Sequence, residues 1–263
     1  MTALKSCCPM YPANLEWMKK QRERYGQLLA WECGEAVLEM CRIKEKQQAG
    51  EKAAEYVRDG MVVGLGTGST VFYTIRKIVE LVKNGMKIQG VSTSKSTTEL
   101  AGSLGIELVS INDVETIDLT IDGADEIDQK LNGIKGGGGA LFFEKVVAYA
   151  SAKVIWVVDA GKMAPKLGGV PVPVEVSPFG YRQVYKRLSV EGLNPVMRLE
   201  SGQPFRTDSD HYILDLYPDN LDHPGELGAW LKEIPGVIEH GLFIDCAAEV
   251  LVGRGDSVVS VLR

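Results

Sequence analysis

The chain has 263 residues and a mass of 28.7 kDa, enough for one or two domains at about 150 residues each. Its net charge of −6 argues against sequence-independent nucleic-acid binding, so an anionic ligand must be met by individually placed lysines or backbone N–H groups. Glycine is abundant at 29 residues but has no period, which excludes collagen and assigns the excess to loops of unusual backbone conformation.

Five cysteines and three scattered histidines make no zinc site at recognised spacing, and an odd cysteine count suits a reducing compartment. No apolar run approaches the ~18 residues of a membrane-crossing helix, and residues 1–26 lack the apolar stretch of a signal peptide. The expectation is a cytoplasmic protein with no membrane and no nucleic-acid partner.

Residues 14–57 are rich in Glu, Lys, Gln, Ala and Leu and read as helix, with breaks expected at Gly26, Gly34 and Gly50. The rhythm then changes. A strand over 61–65 precedes a loop and a helix over 70–82. A strand over 87–91, a helix over 97–104, strands over 107–110 and 119–121, a helix over 140–150 and a strand over 154–158 follow. Strands alternating with helices at this spacing predict a parallel sheet. Beyond residue 159 the order becomes strand 172–176, helix 181–191, strands 194–199 and 212–216, helix 224–233 and strand 237–240. That β-α-β-β-α-β order is ferredoxin-like. Strands over 250–253 and 258–262 are expected to return to the first sheet. The predicted fold class is thus α/β: a Rossmann-like parallel-sheet main domain (44–168 plus 241–263), a smaller ferredoxin-like α+β domain (169–240) and an N-terminal helical extension (1–43).

Three segments carry chemistry. The first, GLGTGST over 64–70, lies between a strand and a helix. Backbone N–H groups at a helix N-terminus lack intrahelical partners and attract anions. Gly66 and Gly68 allow close approach, and Thr67, Ser69 and Thr70 add hydroxyls. It is neither a Walker loop nor G-x-G-x-x-G; a tight turn is the plain alternative. The second, IDGADEID over 121–128, places Asp122, Asp125, Glu126 and Asp128 at the carboxyl end of a strand, where open α/β sheets bind ligands. Crowded carboxylates raise one another's pKa, which suits proton transfer near neutral pH. A solvated turn and a divalent-metal site both compete with that reading. The third, KGGGGALFFEK over 135–145, sets Lys135, the backbone of Gly136, Gly137 and Gly138, and Glu144 around one donor-rich loop. Four ordered glycines are entropically costly, so they point to a conformation other residues cannot adopt; a flexible hinge is the alternative.

Taken in order, these segments, with STSKSTTE (92–99), VVDAGK (157–162) and PVPVEV (171–176), resemble the type A ribose-5-phosphate isomerases from about residue 44 to the end. The resemblance implies interconversion of ribose 5-phosphate and ribulose 5-phosphate without metal or organic cofactor. It implies that Glu144 is the base moving a proton between C1 and C2. Asp122 then serves ring opening and sugar hydroxyls, with Asp125 beside it, and Lys135 meets the developing enediolate. Thr67, Ser69, Thr70 and Lys162 are assigned to substrate and phosphate. Lys46 falls where the family has an N-terminal phosphate-contacting lysine, although Lys44 is close enough to confuse the choice. A homodimer or homotetramer is expected by the same resemblance. The segment before about residue 43 departs from the family pattern and carries none of these motifs.

Two other classes compete. A non-catalytic sugar-phosphate sensor would join such a loop to a DNA-binding helical module. Residues 1–60, however, hold 10 basic and 9 acidic side chains, which is nearly neutral. A deaminase or lactonase on a related fold is expected to use a histidine, and His211, His223 and His240 all fall away from the motif loops. A nicotinamide dehydrogenase lacks its fingerprint here.

Overall fold

Short apolar strands separated by helices favour a parallel sheet, because parallel neighbours need a crossover connection. In the computed structural model, which describes residues 27–263 and side chains from residue 38 on, that sheet has six strands. Strands β1 (Val62–Leu65), β2 (Gln89–Ser92), β3 (Leu119–Asp122), β6 (Val154–Asp159) and β14 (Glu249–Arg254) are parallel in the order β14-β6-β3-β1-β2. The edge strand β15 (Ser257–Leu262) runs antiparallel to β14. All six residues of β6 are buried, as expected for a strand covered on both faces.

Helices α1 (Gln27–Ala54), α2 (Val71–Lys83) and α3 (Lys95–Ser103) accompany this sheet. Ile75 and Ile78 of α2 and Ala49 and Ala53 of α1 bury against Leu65, Ile121 and Val157. Trp156, Val158, Val250 and Phe243 form a separate cluster with Ile127 and Leu131. The expected breaks at Gly34 and Gly50 do not occur; one helix runs through both and across the expected boundary at residue 43. Gly50 has a packing reason instead. A Cβ there would lie 2.6 Å from the Thr70 carbonyl oxygen, so glycine lets α1 approach α2 closely. The expected helix over 14–26 and the break at Gly26 lie outside the described residues. The strand expected over 107–110 is reduced to one parallel bridge between Gly90 and Leu108.

A four-stranded antiparallel sheet follows. Its order is β12-β7-β11-β8, from β7 (Val172–Val176), β8 (Val196–Met197), β11 (Tyr212–Leu216) and β12 (Val237–His240). Helices α5 (Tyr181–Val190) and α6 (Pro224–Lys232) connect these strands, and Val184, Leu188 and Leu231 bury with Val172, Val174, Val176, Leu214 and Leu216. Successive strand residues face opposite sides, so Pro173, Glu175, Ile213 and Asp215 are left on the other face. The strand expected over 194–199 is interrupted at Arg198. Beyond it β9 (Leu199–Glu200) and β10 (Gln203–Pro204) make a small hairpin.

A third sheet, β13-β5-β4, has two-residue strands: β4 (Glu126–Ile127), β5 (Gly133–Ile134) and β13 (Leu242–Phe243). It folds the 121–128 segment back so that Lys135 ends beside Asp122, and α4 (Leu141–Tyr149) leaves that turn.

Gly50→Ala gains about 1 kcal/mol of helix propensity but meets backbone it cannot displace, and overpacking costs about 1–3 kcal/mol. Because the backbone cannot yield, the net loss approaches about 2 kcal/mol, and a Tm lower by about 4–8 °C is expected at about 2–4 °C per kcal/mol. An unchanged or higher Tm by calorimetry would show that α1 has room to move.

Candidate active site

The loop over 66–70 is held from below. A Cβ on Gly66 would lie 2.1 Å from Asp122 Oδ1, so only glycine passes over that carboxylate. Asp122 Oδ1 accepts the Thr67 N–H at 3.0 Å and the Gly123 N–H at 2.7 Å. Thr67 Oγ1 lies 2.8 Å from both Thr93 Oγ1 and Ser94 Oγ, and Thr97 Oγ1 donates to the Gly66 carbonyl at 2.9 Å. Ser94 also caps α3 by accepting the Thr97 N–H. The Ser/Thr run over 92–99 is therefore a hydroxyl scaffold under the loop. Thr70 precedes α2 with no side-chain cap bond, which leaves its hydroxyl available.

Lys135 is 2% exposed and its Nζ reaches three oxygens: Gly123 O at 2.6 Å, Asp122 Oδ2 at 3.0 Å and Glu144 Oε2 at 3.2 Å. The Phe243 ring centroid lies 5.4 Å from the ammonium. Burial works against the Lys135 charge, but the carboxylates of Asp122 and Glu144 outweigh it and hold the amine above the usual lysine range. Glu144 is 5% exposed. Its carboxyl is raised to about 8, first by burial and then by the Asp122 charge, against the pull of Lys135. The Lys135–Glu144 contact is within ion-pair distance but is not an aligned hydrogen bond, so Glu144 Oε2 has no hydrogen-bond partner. An unsatisfied buried oxygen of this kind is costly unless a ligand uses it.

These groups open on a cavity of about 210 Å³. Thr67, Gly68, Ser69 and Thr70 form one wall, and Asp125, Lys135, Gly136, Gly138 and Glu144 another. Lys46 and Lys162 complete it, and neither makes an ion pair among the described residues. Lys44 instead pairs with Asp256 and does not line this cavity. Buried Glu45 accepts the Gly255 N–H at 2.8 Å and the Ala160 N–H at 3.3 Å, tying α1 to the loop that carries Lys162. Asp122, Gly66 and Gly137 are not on the wall. Asp122 is 2% exposed, with Oδ1 accepting two backbone N–H groups and Oδ2 3.0 Å from Lys135 Nζ, so it lies behind Lys135 and the loop and not on the wall. Asp125 is on the wall, with Oδ2 accepting the Gly137 N–H at 2.7 Å.

A larger cavity of about 500 Å³ lies between α4 and α6, lined by Lys145, Tyr149, Gly228, Lys232, Glu239 and His240 among others. Its charges are spent on one another: Glu239 takes Lys145 at 2.9 Å and Lys232 at 2.8 Å. Burial and the neighbouring Lys145 push His240 down to about 4. The smaller cavity holds the unsatisfied carboxylate and the lysines without an ion pair among the described residues, which makes it the candidate site. No histidine lines it.

The ribose 5-phosphate isomerase A (phosphoriboisomerase A) family profile matches residues 89–257. The ribose-5-phosphate isomerase A of Listeria innocua is 49% identical over 222 residues, covering 84% of this chain and 99% of that protein. That of Enterococcus faecalis is 49% identical over 213 residues, covering 80% and 94%. The chain belongs to the ribose 5-phosphate isomerase A family. The solved D-ribose-5-phosphate isomerase in complex with phospho-erythronic acid superimposes with a TM-score of 0.82 at 37% identity, over 84% of this chain and 99% of that one. The Methanocaldococcus jannaschii enzyme does so with 0.80 at 37%, over 83% and 98%. The enzyme interconverts ribose 5-phosphate and ribulose 5-phosphate, through the metal-free enediol proton transfer of its family.

Sequence reasoning left several of the isomerase's site residues without a role. Gly123, Ala124 and Val158 also line the cavity. The Ser/Thr run over 92–99 was a visible signal for the scaffold under the loop. Arg198, which bonds the Gly136 and Gly137 carbonyls, stands about 60 residues away and has no motif to reveal it.

A base must be ionised to accept a proton. With Glu144 raised to about 8, kcat/KM for ribose 5-phosphate is expected to climb with pH between 6 and 8 and to level off above. A pH–rate profile flat from 6 to 9 would show Glu144 already ionised.

Proposed function

We propose that Glu144 is the base of this isomerase. The observation that carries the proposal is its Oε2: buried, on the cavity wall, 3.2 Å from Lys135 Nζ and without a hydrogen-bond partner. From the open-chain aldose Glu144 takes the C2 proton, and the electron pair moves through the C1–C2 bond to O1 to give an enediolate. Glu144 then returns the proton to C1, and the O2 hydroxyl proton passes to O1 as the ketose forms. Positioned general-base catalysis of this kind is worth about 10²–10⁴ in rate.

Lys135 and the Gly138 N–H stabilise the enediolate, at about 10²–10³ per donor. Asp125 faces the sugar hydroxyls and the furanose ring that must open first. Lys46, Lys162, Ser69, Thr70 and the N–H groups over Gly68 hold the phosphate, which keeps the reacting carbons beside Glu144. The route uses no metal or organic cofactor, and turnover is expected to survive a chelator.

The same reading includes the division into a Rossmann-like catalytic domain (44–168 plus 241–263) and a ferredoxin-like domain (169–240), with residues 1–43 as an extension. It includes a cytoplasmic location, suggested by the odd cysteine count. It also includes self-association as a homodimer or homotetramer, for which the exposed Val146 and Tyr149 on α4 offer apolar surface.

Glu144→Gln is expected to lower kcat by at least about 10²-fold while inorganic phosphate still inhibits with an unchanged constant. Activity within a few-fold of the parent would remove Glu144 as the base. Lys46→Ala and Lys162→Ala are each expected to raise KM about tenfold or more, as loss of a charged hydrogen bond does, whereas Lys44→Ala leaves KM unchanged. Equal effects at all three lysines would refute the assignment of the phosphate subsite.

A further inference from the structure

The loop that carries the enediolate donors is gripped from the opposite side by one arginine. Arg198 follows β8 in the four-stranded sheet. Its Nε donates to Asp215 Oδ2 at 2.8 Å, and its Nη2 bonds the other oxygen of the same carboxylate. That leaves Nη1, which donates to the Gly136 carbonyl at 2.8 Å and the Gly137 carbonyl at 3.1 Å. The guanidinium lies 5.9 Å from the Phe205 ring centroid. That ring edge fills the place a Cβ on Gly139 would take, 2.5 Å away. Arg198 and Asp215 are both largely buried, and their two-pronged pairing fixes the plane of the guanidinium.

A trans peptide is planar, so a C=O and the N–H that follows it point in opposite directions. Pulling the Gly136 carbonyl toward Arg198 therefore turns the Gly137 N–H the other way, and it is found on Asp125 Oδ2 at 2.7 Å. Pulling the Gly137 carbonyl toward Arg198 turns the Gly138 N–H the same way, toward the cavity that both Asp125 and Gly138 line. The Gly138 N–H has no partner among the described residues. A run of four glycines has little preference of its own between this orientation and its peptide-flipped alternative.

We propose that Arg198, oriented by Asp215, is a positioning residue for the isomerisation: it holds the peptides of the Gly136–Gly138 loop so that the Gly138 N–H faces the enediolate oxygen. Arg198 does not touch the substrate. It makes one donor of the transition state dependent on the smaller sheet. The inference rests on the assignment of that loop to the enediolate. Glu144→Gln tests the base separately, because Arg198→Gln leaves Glu144, Lys135 and the phosphate subsite in place.

The test compares Arg198→Gln and Arg198→Lys with the parent enzyme. Arg198→Gln is expected to lower kcat about 10²-fold, the loss of one oxyanion donor, with KM for ribose 5-phosphate within about threefold. Inhibition by inorganic phosphate should be unchanged. Inhibition by phospho-erythronic acid, whose carboxylate places negative charge where the enediolate develops, should weaken at least tenfold. Arg198→Lys keeps the charge beside Asp215 but cannot grip a carboxylate and two carbonyls at once. The same pattern is expected at a smaller loss, and it decides the question if the glutamine variant does not fold. A kcat within threefold of the parent in the variants that fold would overturn the proposal. So would an equal weakening of phosphate and phospho-erythronic acid, which would mean general loosening of the site.

Discussion

One buried ammonium organises the centre of this molecule. A lysine removed from water costs several kcal/mol unless its charge is matched, and Lys135 is matched by two carboxylates, Asp122 and Glu144. Two negative charges against one positive charge leave the group one proton short of neutral in a dry place. The proton goes most readily to the carboxylate with the poorest hydrogen bonding. Asp122 accepts two backbone N–H groups besides the lysine, while Glu144 Oε2 accepts none. Glu144 is therefore the carboxyl raised toward neutrality, and its basicity follows from the asymmetry of the cluster.

Substrate charge requires the reverse arrangement. The chain carries net −6, yet its ligand carries a phosphate. Among the described residues Lys46 and Lys162 have no carboxylate partner at the cavity, whereas Lys44, two residues from Lys46, pairs with Asp256. The same residue type is a buried, paired electrostatic element at 135 and, at 46 and 162, an open cation at the cavity, as the proposed phosphate subsite requires. Glu45 ties the helix that carries Lys46 to the segment that carries Lys162 by accepting the Ala160 N–H.

The parallel sheet was legible because its strands are continuous apolar runs ending in glycine or acidic loops. β11 and β12 have the bounds read from the sequence, 212–216 and 237–240. The third sheet was not legible, since two-residue strands carry no periodicity. Gly50 was misread for a physical reason: a helix glycine marks either a break or a close approach, and only the neighbour at Thr70 tells which. Lys44 and Lys46 are only two residues apart but lie about 200° apart around a helix, so they face different surroundings. Asp122 was assigned by resemblance to ring opening and sugar hydroxyls, but its burial behind Lys135 depends on how β4 and β5 fold back, which no local pattern contains.

Glycine-rich loops bring backbone N–H groups close to a ligand but cannot hold themselves in place. Their order has to be imposed by neighbours, and here it is imposed from two sides. Below, Asp122 and Asp125 bind N–H groups of the 66–70 and 136–139 loops. Above, the face of the four-stranded sheet turned away from its own apolar core supplies charge instead of grease. Arg198, itself held by Asp215, donates to the glycine carbonyls, and Glu239 holds Lys145 at 2.9 Å. Lys145 is the residue after Glu144 on α4, about 100° around the helix, and it also donates to the Leu242 carbonyl at 2.9 Å. Burial lowers its amine to about 8, and Glu239 opposes that fall, so the pairing keeps it charged at neutral pH. With the rotation of α4 fixed by Lys145, Glu144 faces the cavity about a quarter-turn away. The smaller sheet thus contributes none of the cavity-lining residues, yet its side chains hold both the helix that carries Glu144 and the 136–139 loop.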